Sequence, residues 1–176
     1  MVMRAVNALL IDRDGTLVED VPYNGDPHRV RPRPTVRRGL ARARRHGLAL
    51  AIVSNQSGVA RGLLTLEQVS AVNRRVEQLL GPFDAIVTCP HRDEDLCACR
   101  KPRPGMLHIA AAKLRVDVRT CVVIGDIGSD MAAAAAAGAS GVLVPTAATR
   151  GEEISAAAHV ATDFDAAVGL AFELGA

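Results

Sequence analysis

Asp12-Arg13-Asp14-Gly15-Thr16 places two carboxylates one residue apart, directly after the apolar run Ala8-Leu9-Leu10-Ile11. Ligands of an open α/β sheet bind beyond the carboxyl ends of its strands, so a strand ending in Asp-x-Asp brings two acids to the rim where chemistry is done. One can serve as a nucleophile and the other as a proton donor. Gly15 and Thr16 allow a tight turn. Asp beside Gly is also common in turns, so these five residues alone leave a plain turn open.

The chemistry that suits such a pair is phosphoryl transfer. A dianionic phosphate repels an attacking carboxylate, so the site must supply positive charge. Mg2+ on oxygen ligands does this, and the candidates are Asp12, the backbone carbonyl of Asp14, and Asp126 in Gly125-Asp126-Ile127-Gly128-Ser129-Asp130. Lys101 adds a fixed cation. Ser54 and the amides of Asn55 and Gln56 can take phosphate oxygens, and Arg100 can hold the rest of an anionic substrate through its fork of donors. Asp12 would attack phosphorus and carry an aspartyl-phosphate. Asp14 would protonate the leaving alkoxide and then deprotonate water, which needs surroundings that favour the neutral acid at the start. For Asp130 three roles stay open: orienting Lys101, holding a metal-bound water, or capping a helix.

A second constellation is Cys89-x-His91-x5-Cys97-x-Cys99. Three thiolates and an imidazole make a full tetrahedral set for Zn2+. The segment is polar and short of core residues, so a metal can replace a hydrophobic core there. A four-ligand site has no open position, which implies a structural role: stiffening the loop that carries Arg100 and Lys101. Cys121 lies in an apolar run and reads as a buried thiol. His28, His46, His108 and His159 read as surface or helix-face residues.

The elements that must position these groups alternate. Strands are predicted at Val6–Ile11, Leu48–Ser54, Asp84–Thr88, Thr120–Ile124 and Gly141–Val144, with a sixth at His159–Ala161. Helices are predicted at Thr35–His46, Thr65–Leu80, Pro104–Leu114, Ser129–Ala137 and Asp163–Leu174. Thr65 is the N-cap of its helix, whose apolar stripe is Val69, Val72, Val76, Leu79 and Leu80. Gly47, Gly81-Pro82 and Gly138 are stop signals. Such alternation implies a three-layer α/β/α architecture around a mainly parallel sheet. Strands one, two and four end in Asp12, Ser54 and Asp126, so all three point at one rim.

With 176 residues, one domain spanning 1–176 is expected. The chain is 49% hydrophobic and 23% charged, which is globular rather than disordered composition. A net charge of +2 makes no general case for nucleic acid, and 2% aromatics without Trp argues against base-stacking platforms. The arginines between Arg29 and Arg45 read as a solvated basic helix face. No run of ~18 apolar residues suggests a membrane span. Residues 1–11 lack a secretory pattern, so a cytoplasmic location is expected, where cysteines serve as ligands or thiols rather than disulfides. Nothing in the sequence demands more than a monomer.

Asp12-x-Asp14-Gly15-Thr16, the Ser54 strand end, Lys101-Pro102 and Gly125-Asp126-x3-Asp130 resemble the four ordered motifs of the haloacid dehalogenase (HAD) phosphatase superfamily. They span about 120 residues in the expected order. The resemblance implies a Rossmann-like three-layer fold, and here one without a folded cap, because only about twenty residues separate Gly15 from the helix at Thr35. Within the superfamily, Ser54-Asn55-Gln56-Ser57-Gly58-Val59-Ala60-Arg61-Gly62 and Cys99-Arg100-Lys101-Pro102-x-Pro104-Gly105-Met106 resemble the D-glycero-D-manno-heptose 1,7-bisphosphate 7-phosphatases. Those enzymes and the related histidinol-phosphate phosphatases share the Zn-binding insertion. The resemblance implies substrate contacts from Asp20 to Tyr23 and phosphate contacts at Ser54, Asn55, Arg100 and Lys101, with Gln56 and Ser57 in the same loop. Tyr23, the only Tyr, either packs on a sugar or anchors its loop. The pattern departs at Ile127, where that group often has Lys, and mildly at Ser54, where Thr is commoner. Histidinol phosphate is the alternative substrate.

Two other classes compete. A receiver-type signalling domain is also doubly wound with Asp, Ser/Thr and Lys, but it carries its phospho-acceptor on the third strand. Here that strand ends in Thr88-Cys89. A Zn-stabilised binding module would make the acids structural, and metal-dependent turnover would exclude it.

Overall fold

The computed structural model describes residues 5–175. Residues 1–4, part of the N-terminal stretch read above, lie outside them. Five strands form one parallel sheet: β1 (Ala8–Ile11), β2 (Ala49–Asn55), β3 (Ala85–Cys89), β4 (Cys121–Gly125) and β5 (Ser140–Leu143), in the order β3-β2-β1-β4-β5. The helices are α1 (Val36–Arg45), α2 (Leu66–Leu80), α3 (Gly105–Leu114), α4 (Gly128–Ala137), α5 (Gly151–Ala156) and α6 (Phe164–Glu173).

The two-residue period of the strands divides the core. Leu9, Ile11, Leu50, Ile52, Val122 and Ile124 face one side, with Leu40 of α1, Val76 of α2 and Phe164 of α6 packed on them. Ala8, Leu10, Ala51, Val53 and Val123 face the other, under Met106 and Leu107 of α3 and Ala133 and Ala134 of α4. The side chains of β1 are fully buried on both faces, which is why it reads as an unbroken apolar run. Each fully buried Leu or Ile contributes about 1.5–3 kcal/mol.

Local chemistry sets the element ends. Thr65 Oγ1 accepts from Gln68 N (3.2 Å) while Gln68 Oε1 accepts from Thr65 N (2.8 Å), a reciprocal cap for α2. Asp163 caps α6 from one side only, its Oδ1 accepting from Ala166 N at 2.9 Å.

Three expectations change. His159–Ala161 is not a sixth strand: Val160 makes a single isolated bridge to Leu143 and is 42% exposed. The short helix α5 was not anticipated, because six residues carry too little periodicity to be read. The basic face of α1 is not simply solvated. Arg38 pairs with Asp165 at 2.7 Å, Arg42 donates to the Asp165 carbonyl, and Arg44 donates to the Leu80 and Pro82 carbonyls at 2.9 and 2.8 Å. These arginines tie α1 to α6 and to the end of α2.

Candidate active site

Register fixes where the acids emerge. Ile11 pairs with Ile52 on one side and Ile124 on the other, so Asp12 leaves the sheet between β2 and β4. Ser54 and Asp126 leave at the same rim. A cleft of about 230 Å³ opens there, lined by Asp12, Asp14, Asp20, Tyr23, Ser54, Asn55, Gln56, Ser57, Lys101, Asp126 and Asp130. Arg100 does not line it. Its guanidinium lies on the Zn-type loop, donating to the His91 carbonyl at 3.4 Å, with Asp93 at 3.7 Å.

Two glycines make the close approach possible. Gly15 turns the chain at φ 84°, and a Cβ there would sit 2.2 Å from Asp126 Oδ2. A Cβ on Gly125 would meet Asp130 Oδ2 at 2.3 Å. Asp126 is held by Thr16 Oγ1, which donates to its Oδ1 at 3.2 Å, and by Thr149 Oγ1, which donates to its carbonyl at 2.6 Å.

Asp12, Asp126 and Asp130 are all buried, and each offers an oxygen within 4.8 Å of the others. Crowding shows in their proton affinity. Burial pushes Asp126 up to about 7, helped by the charge of Asp130. Burial also raises Asp12 well above the usual carboxylate range, with Asp130, Asp126 and Asp14 adding to it and Lys101 opposing. A hard divalent cation relieves such crowding, and an all-oxygen donor set suits Mg2+.

Lys101 is the cation already in place. Its Nζ lies 2.6 Å from Asp12 Oδ1, 2.6 Å from Asp130 Oδ1 and 2.9 Å from the Val53 carbonyl. Burial alone would lower its proton affinity, but the carboxylates of Asp12 and Asp130 raise it, so it stays charged. Asp130 fills two of its three open roles. Oδ1 orients Lys101, while Oδ2 accepts from the amides of Asp126 and Ile127 (3.2 and 3.3 Å) and so caps α4. With Asp130 so committed, Asp12 and Asp126 are the carboxylates left to hold a metal.

Several sequence-predicted contacts take other roles. Asn55 clasps the backbone of Lys101, accepting from its N at 3.1 Å and donating to its O at 3.0 Å. The Gln56 amide is spent on the Cys89 carbonyl (2.7 Å), while its side chain donates to Asp14 Oδ2 (2.7 Å) and Ser54 Oγ (2.8 Å). Ser54 Oγ, as acceptor of that bond, keeps its own proton for another partner. Asp14 is held by donors: Arg13 reaches both its oxygens (3.1 Å from Nε to Oδ1, 2.8 Å from Nη2 to Oδ2), beside the bond from Gln56.

Arg13 is the residue that sequence reasoning missed. It is only 1% exposed and its Nη1 donates to Asn73 Oδ1 of α2 at 2.7 Å. The one available signal was Asn73, a polar residue between Val69, Val72 and Val76 on a buried stripe.

The second constellation also assembles. Sγ of Cys89 lies 3.5 Å from His91 Nδ1, 3.6 Å from Cys97 Sγ and 3.3 Å from Cys99 Sγ, and Cys99 lies 3.4 Å from His91 Nδ1 and 3.5 Å from Cys97. A tetrahedral ion with Zn–S of about 2.3 Å spaces its ligand atoms about 3.7 Å apart. The cluster therefore can bind zinc with little rearrangement. Cys121 is buried as expected, and burial pushes its thiol up to about 11.

A parallel sheet whose central strand ends in an Asp-x-Asp turn, faced by a buried lysine and a second acid from the next strand, defines a phosphohydrolase of the HAD type. The HAD-hydrolase-like family model matches residues 98–167. The D-glycero-β-D-manno-heptose-1,7-bisphosphate 7-phosphatase of Mesorhizobium japonicum is 38% identical over 149 residues, covering 78% of this chain and 69% of that protein. The enzyme of the same name from Vibrio cholerae is 35% identical, covering 89% of this chain and 90% of its own. The crystal structure of the D,D-heptose 1,7-bisphosphate phosphatase of B. bronchiseptica, complexed with magnesium and phosphate, superposes with a TM-score of 0.82 at 31% identity, covering 94% of this chain and 98% of that one. The chain belongs to this family of HAD phosphatases.

Proposed function

We propose that this phosphatase removes the 7-phosphate of D-glycero-D-manno-heptose 1,7-bisphosphate through an aspartyl-phosphate on Asp12. The observation that carries the chemistry is Asp12 itself, held by Lys101 at 2.6 Å in a buried cleft with Asp126 beside it. Family membership carries the substrate, since the enzymes this chain matches over most of its length are named for it.

Asp12, the Asp14 carbonyl and Asp126 would hold Mg2+, which when bound neutralises phosphate charge and lets a carboxylate approach. Lys101 fixes one oxygen of Asp12 and leaves the other to attack phosphorus in line. The bond from phosphorus to the ester oxygen breaks, and Asp14 gives that oxygen its proton. Asp14, now a carboxylate held by Arg13 and Gln56, takes a proton from water. The hydroxide attacks the aspartyl-phosphate, releasing phosphate and restoring Asp12. The Ser54 hydroxyl proton is placed to bind a phosphate oxygen. Asp20, Tyr23 and Ser57 contact the substrate from the cleft wall. Cys89, His91, Cys97 and Cys99 hold a structural Zn2+ that shapes the loop before Lys101.

The chain works as one domain and a monomer in the cytoplasm, on a small phosphorylated metabolite and not on nucleic acid or membrane. No helix among the described residues is long and apolar enough to cross a membrane. The test is phosphate release with Mg2+ from the heptose bisphosphate in both anomers, histidinol phosphate, fructose 1,6-bisphosphate and an aryl phosphate. The heptose ester should lead by a wide margin, and Asp12→Asn should abolish release while circular dichroism and zinc content stay unchanged. Substantial residual turnover by that variant would sink the covalent route.

A further inference from the structure

The turn after β1 fixes the backbone of Asp14. The Arg13 carbonyl accepts from Leu17 N and Val18 N, each at 3.0 Å, and Gly15 N donates to the Val18 carbonyl at 2.8 Å. What remains to be set is the orientation of the carboxyl group, and its donors are unevenly shared. Oδ2 accepts from Arg13 Nη2 at 2.8 Å and from Gln56 Nε2 at 2.7 Å, which occupies both lone pairs of a carboxyl oxygen. Among the described residues Oδ1 accepts only from Arg13 Nε, at 3.1 Å, and shares that proton with Oδ2 at 3.2 Å. Oδ1 therefore has room for a proton of its own, and Oδ2 has none.

The guanidinium that makes this choice is anchored away from the cleft. Arg13 is buried, and its Nη1 donates to Asn73 Oδ1 of α2 at 2.7 Å. Asn73 sits among Val69, Val72 and Val76 on the buried stripe of that helix and does not line the cleft. A buried amide on an apolar face costs stability unless it is hydrogen-bonded, and here its acceptor holds the far side of the same fork that grips Asp14.

Resting on the phosphatase reading above, we infer that Asp14 moves its protons through Oδ1, and that Asn73, acting through Arg13, is a positioning residue for that oxygen. In the first half of the reaction the proton on Oδ1 passes to the ester oxygen as its bond to phosphorus breaks. In the second, water gives one proton to Oδ1 while the hydroxide attacks the aspartyl-phosphate on Asp12. Oδ2 stays an acceptor for Arg13 and Gln56 throughout.

The test exploits the leaving group. A sugar alkoxide departs only with a proton, whereas 4-nitrophenolate departs without one, so a misplaced Oδ1 penalises the first ester alone. Fructose 6-phosphate and 4-nitrophenyl phosphate are compared by kcat/KM, which keeps the heptose assignment out of the result. Asn73→Leu removes the acceptor and should lower turnover of the sugar ester by about 30-fold and of the aryl ester by less than about threefold. Arg13→Lys keeps the charge but loses the planar fork, and should show the same split. Asn73→Asp keeps an oxygen for Nη1 and should stay within about threefold of wild type on both esters. Circular dichroism identifies a variant that does not fold, and the remaining ones then decide. Equal losses on the two esters are what a merely structural role gives, and they overturn the inference, as does no loss on either. Asp12→Asn, run alongside, separates the failures. If it is inactive and the split is absent, this inference alone falls. If it retains turnover, the covalent route falls and this inference with it.

Discussion

Lys101 carries more of the site than any other single residue. It bridges Asp12 and Asp130, and Asn55 grips its backbone from β2. Removing its charge leaves Asp12 and Asp130 facing each other unscreened and takes away a preorganised cation from the reacting centre. Lys101→Met should therefore lower kcat by about 10²–10³. Steady-state kinetics with saturating Mg2+ checks this, and a change confined to KM would mean that Lys101 serves binding only. Its pairing with Asp130 also explains why a carboxylate one turn into α4 was hard to assign from spacing: a single side chain does two jobs with its two oxygens.

Short elements behave as joints. Glu153, at the start of α5, accepts from Gly128 N at 3.0 Å and from Arg150 N at 2.9 Å, so it fastens α5 to the start of α4. The Arg150 side chain and these amides lower its proton affinity from near 4.5 to about 2. A carboxyl lowered in the fold contributes stability that is complete above its unfolded value and is lost as pH falls through the folded one. Wild type and Glu153→Gln should thus differ by a constant margin in urea midpoint above about pH 5, and the margin should shrink as pH drops toward about 2. A margin that does not change with pH would remove the carboxylate from this joint.

At the same scale lies the boundary of what a sequence discloses. The long elements were legible because their cues are local: Thr65 before α2, Gly138 after α4, unbroken apolar runs for the parallel strands. The Asp-x-Asp turn and the Cys/His set were legible because their spacing is short, and Lys101 and Asp126 because each sits in a short local motif. What was hidden depends on contacts between distant segments. Arg13 reaches Asn73 across 60 positions, and Gln56 turns its side chain back onto Asp14. Neither direction is written in local periodicity. Arg100 followed its loop rather than the cleft for the same reason.

Across the whole molecule, one cluster supports another. Cys99 lies two residues before Lys101, and the Lys101 backbone is clamped by Asn55, so the cysteine loop and the cation paired with Asp12 share one span of chain. Stripping zinc with a chelator should lower the melting temperature and expose residues 89–101 to proteolysis. Turnover should fall with it, and restored zinc should recover both, whereas withdrawal of Mg2+ should stop turnover without unfolding. A melting temperature unchanged after zinc removal would contradict this division of labour.

The strand order has a consequence for how the chain is made. β1 sits at the centre of the sheet between β2 and β4, yet β4 begins at Cys121 and β1 at Ala8. A ribosome working from the N-terminus releases β1 more than a hundred residues before the neighbour that closes its second edge. Through that interval Ala8–Ile11 is an open, wholly apolar border, the kind that recruits other nascent chains. Asp126 and Asp130 follow directly on β4, so the stretch of chain that seals this border also completes the cluster of acids at the rim.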